Sequence, residues 1–254
     1  MKTYTATAIT LTVHKYKGSE RIATFYSRER GKIEAVAKGI GKPGSTLAPA
    51  VEMFAMSKLL LAEGRDLDRL SQCEVIDSLY ELREDMTRFG YASYVAELVA
   101  RTTEVGDSDE ELSDAVFGAL HETLEALRTA ADPEVISWAF ALRLLDMLGF
   151  APALDACLNC GAEPGSRAGY SPKEGGIVCG KCRGTLEAGL DIGLATLATI
   201  RALQAFPAGQ LSRIKANPQT SREVRRLLQM HIGYHLGLGL RSQSFLEKMG
   251  GWGG

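Results

Sequence analysis

Three observations predict an α+β fold for this chain of 254 residues. Apolar residues alternate at period two between residues 5 and 78, broken by Gly and Pro; from Leu79 the spacing changes to three and four; and two Cys-x-x-Cys pairs lie inside the helical part. The expected architecture is a small N-terminal β-barrel over residues 1–78, of the OB-fold kind. An α-helical domain over residues 79–254 follows, carrying a four-cysteine zinc finger at 155–185.

The strands come first. Ile9, Leu11 and Val13 are expected on one face of a strand, with Thr10, Thr12 and His14 on the other. Lys17-Gly18-Ser19 turns the chain into residues 22–26, and Arg30-Gly31 turns it again into residues 32–37. The segment Gly39 to Ser45 reads as a Gly-rich loop, after which residues 54–61 and 70–77 complete five strands. Five short strands with one long basic loop suit an OB-fold, a small closed or half-closed barrel.

Helical spacing begins at Leu79 and continues through Leu82, Met86, Phe89, Tyr94 and Leu98. Ser108 with Glu111 three residues later is a capping box, starting a helix that runs through Val116, Leu120, Leu124 and Leu127. Asp132-Pro133 is an N-cap and N1 pair for a helix to Leu148, apolar on most sides and stopped by Gly149, as a central buried helix would be. Two more helices are expected around 194–205 and 221–236, and the terminal Gly-rich residues 250–254 are expected to fray.

With 45% hydrophobic and 24% charged residues, the chain can bury a core and is not a disordered tail. No run of about 18 uncharged apolar residues occurs, and the N-terminus lacks a secretory leader pattern, so a cytoplasmic protein is expected. The net charge of −2 hides a strong asymmetry. Residues 1–45 hold 9 basic and 3 acidic residues, residues 81–156 hold 5 and 16, and residues 157–254 hold 12 and 6. A basic head can attract polyanions locally whatever the total charge.

Cys157, Cys160, Cys179 and Cys182 are the sharpest chemical signal, because two Cys-x-x-Cys knuckles at this separation supply four thiolates in a tetrahedron. Four protein ligands leave no open coordination position, so one structural Zn2+ is expected. Cys73 reads as a buried apolar cysteine. His231 and His235 stand one helical turn apart without the glutamate of a zinc protease and read as packed or solvent-facing. Gly39 to Thr46 lacks the Gly-Lys-Ser/Thr of a phosphate loop, there is no Gly-x-Ser-x-Gly elbow, and the acidic residues form no defensible pair. No catalytic residue is therefore expected.

Arg28, Arg30, Lys32, Lys38 and Lys42 cluster in sequence near Phe25 and Tyr26. In an OB-like barrel such cations would track a nucleic-acid backbone while aromatic rings stack on bases. A merely charged surface accounts for them equally well on pattern alone, and the same two readings hold for Arg213, Lys215, Arg222, Arg225 and Arg226.

Order and motifs together resemble one family. Val36-Ala37-Lys38-Gly39 ends a strand before a basic loop, Leu148-Gly149-Phe150 precedes the cysteines, and Leu240-Arg241-Ser242-Gln243-Ser244-Phe245-Leu246 lies near the end. With the two knuckles, the chain resembles the bacterial recombination mediators of the RecO family over nearly its whole length. The resemblance implies a non-catalytic, nucleoid-associated DNA-repair protein that binds single- and double-stranded DNA and anneals complementary strands. With RecR it would help load RecA onto strands coated by single-strand-binding protein. Lys38 matches the family's Lys-Gly position, Lys42 lies in its basic loop, and the four cysteines match its zinc ligands; Arg28, Arg30 and Lys32 are candidates by location. Pro43-Gly44-Ser45-Thr46 replaces the further cations that some relatives keep in that loop. From another class, a zinc-ribbon adaptor contacting only proteins would also fit the knuckles.

Overall fold

The computed structural model describes residues 2–41, 44–106, 109–184, 187–206, 208–237 and 239–250. Lys42 and the capping-box residue Ser108 lie outside the described residues. By contacts the chain divides into two compact units, Met1–Thr129 and Ala130–Gly254.

In the first unit, β1 (Thr3–Lys15), β2 (Arg21–Ser27), β3 (Gly31–Ala37), β4 (Met56–Ala62) and β5 (Asp68–Asp77) close into a barrel of order β1-β2-β3-β5-β4. Closure depends on the length of β1, 13 residues, which pairs with β4 along its first half and with β2 along its second. The remaining seam is the parallel pairing of β3 with β5, where Ala35 faces Asp68 and Ala37 faces Leu70. These strands and this closure are those of an OB-fold. Small residues (Ala6, Ala8, Ala23, Ala35, Ala37) interleave with Phe25, Ile33, Leu59, Leu61 and Leu70 inside it, the size alternation that lets side chains fill a narrow barrel.

One expectation is corrected here. Ile9, Leu11 and Val13 do not share a face, because the register of β1 against β2 shifts between Thr10 and Thr12. The extra residue of this bulge reverses the side-chain alternation. Val13 therefore packs on the barrel interior, whereas Ile9 and Leu11 are fully buried without belonging to that interior cluster.

Three helices complete the first unit: α1 (Glu81–Glu84), α2 (Met86–Thr102) and α3 (Glu110–Thr129). Asp85 separates the first two and caps α2 by accepting from the Arg88 amide. Asp109 accepts from the Leu112 amide at the start of α3. Both α2 and α3 pack on the β1-β2-β3 side of the barrel, so the change of period at Leu79 marks the end of the barrel while the compact unit continues to Thr129. Arg128 ties the three elements together, donating to Asp77 of β5 at 2.9 Å, Glu81 of α1 at 2.6 Å and Glu125 of α3 at 3.1 Å.

In the second unit, α4 (Pro133–Met147) is capped by Asp132 and is buried along most of its length, with Trp138 fully enclosed. Gly149, at φ +78°, turns the chain out of it. A sheet of order β7-β6-β8 follows, from β6 (Arg167–Ser171), β7 (Gly176–Cys179) and β8 (Leu190–Gly193). The helices α5 (Leu194–Ala205), α6 (Pro218–His235) and α7 (Arg241–Lys248) complete it. Asn217 caps α6 by accepting from Thr220, with Pro218 in its first turn, so the helix begins three residues earlier than periodicity indicates.

Candidate metal centre and nucleic-acid interface

The four sequence-predicted cysteines meet: their Sγ atoms all lie within 4.8 Å of one another. The first knuckle is closed by the Gly161 amide donating to the Cys157 carbonyl at 2.8 Å, with Gly161 at φ +71°. The Leu158 amide then fastens it to the Ile177 carbonyl of β7 at 2.9 Å. The second knuckle begins at the last residue of β7, Cys179, whose carbonyl accepts from the Cys182 amide at 3.0 Å. Arg201 of α5 donates to the carbonyls of Leu154 and Asp155 at 2.8 and 3.0 Å, holding the segment that leads into the first knuckle.

The donor set fits a tetrahedral metal. A Zn–S bond of about 2.3 Å puts the sulfur–sulfur edges of a tetrahedron at about 3.8 Å, and the Cys160 and Cys179 sulfurs are 3.8 Å apart. Backbone amides, the Cys179 amide foremost, hold the Cys157 thiol down to about 6. The Cys182 amide is the main cause lowering the Cys179 thiol. At Cys160 the Ala162 amide pulls downward, but hydrogen bonds with the other three sulfurs push the thiol up to about 11. Four sulfurs this close cannot all ionise without a cation among them. Asn159 Nδ2 adds an outer contact, donating to Cys182 Sγ at 3.3 Å. Cys73, the fifth cysteine, is half-buried in β5 and stands apart, its thiol on the Thr46 carbonyl at 3.2 Å.

The basic candidates are not one cluster. Arg28 and Arg30 lie in the turn before β3, and Lys38 lies just past its other end. Arg28 pairs with Asp114 at 3.2 Å and sits over the Phe117 ring of α3. Arg30 lies 3.9 Å from the Tyr4 ring centroid and 3.6 Å from Glu63. Lys32 is anchored, its ammonium donating to the carbonyls of Ala100 at 2.7 Å and Thr103 at 3.3 Å, at the C-terminal end of α2. A cation there satisfies carbonyls that the helix leaves open.

Phe25 and Tyr26 do not serve as stacking rings. Phe25 is part of the barrel interior and Tyr26 is 2% exposed, since nearly every residue of β2 is covered, on one side by the barrel and on the other by α2 and α3. The exposed aromatic on this part of the barrel is Tyr16, in the β1–β2 turn. It lines a groove of about 390 Å³ together with Lys17, Glu20, Lys38, Asp68 and Arg69. The groove thus runs between the β1–β2 turn and the start of β5, across the end of β3. Tyr16, Lys17 and Arg69 were missed by sequence reasoning. Arg69 comes to Lys38 through the β3–β5 pairing, where it faces Val36, and no local pattern announces that pairing.

The first 79 residues match the family model described as Recombination protein O N terminal, and residues 83–244 match Recombination protein O C terminal. A DNA repair protein RecO of Pelotomaculum thermopropionicum is 36% identical over 250 residues, covering 98% of this chain and 96% of the relative. One of Symbiobacterium thermophilum is 33% identical over 252 residues, 98% of each chain, and one of Bacillus cytotoxicus is 32% identical over 234 residues, 92% of each. No helix among the described residues is long and apolar enough to cross a membrane. On matches that run through both the barrel and the helical, cysteine-bearing part, the chain belongs to the RecO family of DNA repair proteins.

Proposed function

We propose that this protein is a non-catalytic recombination mediator of the bacterial nucleoid. It binds single- and double-stranded DNA, anneals complementary strands and, with RecR, helps load RecA onto strands coated by single-strand-binding protein. The nucleic-acid-binding domain of this reading is residues 1–78, and residues 79–254 form the helical domain with its zinc insert at 155–185. The supporting observation is the groove of Tyr16, Lys17, Lys38 and Arg69 between the β1–β2 and β4–β5 connections, the face on which OB-folds take oligonucleotides. Lys38 and Arg69 neutralise phosphates there, Tyr16 offers a ring on which a base stacks, Arg28 and Arg30 extend the contact to the other end of β3, and Lys42 joins the nucleic-acid-binding set by its place in the sequence alone. Lys32 acts through its anchoring of α2. Neutralising phosphates on approaching strands removes the repulsion that slows pairing, so annealing proceeds without an active site.

Cys157, Cys160, Cys179 and Cys182 would hold one Zn2+, which would supply a cross-link between the two knuckles and no reactive coordination position.

The test is fluorescence anisotropy of a labelled single-stranded oligonucleotide across a salt series. Wild-type affinity should fall steeply with salt, and Lys38→Glu/Arg69→Glu should flatten the slope of log affinity against log salt by about 1.4, from two lost phosphate contacts at about 0.7 each. Lys32→Gln should lower the melting temperature and leave that slope unchanged. Affinity that is flat in salt rejects the reading. No binding even at low salt, with stable association to a protein partner, selects the zinc-ribbon adaptor instead.

A further inference from the structure

The second unit carries a cleft of about 520 Å³ between α6 and the β6–β8 edge of the small sheet. Arg222 and Arg226 stand one turn apart on the exposed side of α6, and Arg167 at the start of β6 also lines the cleft. The charged groups around it divide into engaged and open ones. Arg225 is turned to α4, its guanidinium paired with both oxygens of the half-buried Glu134 carboxylate. Glu223 lies beneath, 6% exposed, accepting from the Gly193 amide at 2.9 Å, from Gln219 at 2.6 Å and from Thr196 at 2.5 Å. Its charge therefore answers the N-terminal end of α5. Asp191 is taken by Arg183.

Two of the cations, Arg222 and Arg226, have no carboxylate partner among the described residues, and Arg222 meets a neutral oxygen, Gln219 Oε1 at 3.0 Å. Arg167 makes no close ion pair, though its charge helps hold the Glu223 carboxyl down. Glu247 is the one open acidic group on the wall, so the cleft presents a net positive charge from guanidinium groups, the side chains best shaped to hold phosphate oxygens in pairs. The wall is otherwise polar, with Leu190 its large apolar residue. A cleft of this kind recognises a backbone of anions and offers no pocket for the apolar side chains of a peptide.

We propose that this arginine cleft is a second nucleic-acid site, binding the phosphodiester backbone of a strand other than the one held by the barrel groove. The inference rests on the nucleic-acid reading above, and it gives the second unit a direct part in annealing: each molecule holds one strand at the groove and one at the cleft.

The experiment uses the full-length protein and two non-complementary oligonucleotides, one with a donor dye and one with an acceptor, at a protein concentration where sedimentation shows a single species. Energy transfer should report both strands on wild-type protein. Arg222→Gln/Arg226→Gln, at exposed positions that leave melting unchanged, should abolish the transfer, keep affinity for a single short strand within about twofold, and slow annealing of complementary strands about tenfold. Energy transfer and annealing that match wild type in this variant overturn the second site while leaving the groove intact. Transfer lost in Lys38→Glu/Arg69→Glu but kept in Arg222→Gln/Arg226→Gln assigns both strands to the barrel and overturns it. A wild-type protein that binds neither oligonucleotide overturns the nucleic-acid reading itself.

Discussion

His231 illustrates how much a single buried side chain can depend on its protonation state. Its Nε2 donates to the Phe150 carbonyl at 2.6 Å, since a carbonyl oxygen only accepts. In the neutral ring Nδ1 is then free to accept from the Tyr170 hydroxyl. Burial, aided by the nearby His235 ring at 4.5 Å, holds its pKa below the usual 6.5, against the Phe150 contact. An imidazole kept neutral when folded and free to protonate when unfolded leaves the unfolded chain binding more protons under acid. Its contribution to stability is present above about 6.5 and is lost as the pH falls below that value. The melting temperature of wild type should drop between about pH 7.5 and pH 5.5 more steeply than that of His231→Gln, which lacks the titrating ring; parallel slopes in the two proteins would remove this account. Gly175 is fitted to the same cluster, at φ +68° with room for a Cβ only 3.1 Å from His235 Nε2. Little of this is visible in sequence, where two histidines one turn apart say only that they share a helix face. Their partners come from β6 and from the turn after α4, and those contacts exist only once the unit is packed.

At the scale of elements, legibility follows length and local chemistry. The long helix α3 announces itself by period, and α4, apolar on most sides, by its Asp132-Pro133 start and its stop at Gly149. The cysteine knuckles are legible because metal-ligand spacing is a local property of the chain. The strands β6, β7 and β8 are not, being four or five residues long, too short for alternation to show. A sheet that small is marginal without a cross-link, and a metal held by the four cysteines would supply one. Chelation, or Cys157→Ser, should therefore lower the melting temperature of the second unit by about 10 °C or more and release the β6-β7 hairpin to rapid amide exchange. Unchanged melting after verified metal loss would count against a structural role. The bulge in β1 was hidden for a different reason. It swaps Val13 against Ile9 and Leu11 without altering the apolar pattern, because α2 and α3 cover the outside of the barrel and both faces of β1 are buried.

At the scale of the whole molecule, the chain combines opposite charge balances that its near-neutral total conceals. The unit that holds the barrel carries 16 basic and 21 acidic residues, and the second carries 13 and 10. The first is acidic overall because of α2, α3 and their connections, while its basic residues gather on the barrel and its turns. The net charge of the whole compact unit thus points away from the barrel as a polyanion surface, whereas the barrel residues 1–78 alone, with 12 basic and 9 acidic residues, point toward it. The groove belongs to the first compact unit and the four cysteines belong to the second. Metal-depleted protein should keep its affinity for a single short oligonucleotide within about twofold at constant salt while its second unit loosens, and a parallel loss of both would tie the groove to the cysteines.

The parallel seam between β3 and β5 has a consequence during synthesis. The meander of β1, β2 and β3 can zip as soon as it leaves the ribosome, but its last edge stays open until Asp68 to Leu70 arrive from beyond β4 to cover Ala35 to Ala37. Contacts between distant parts of a chain form late, and an unpaired strand edge invites association with other chains in the meantime. A nascent chain stalled with β4 exposed and β5 still in the exit tunnel should be bound by holding chaperones, and one extended past Asp77 should be released from them.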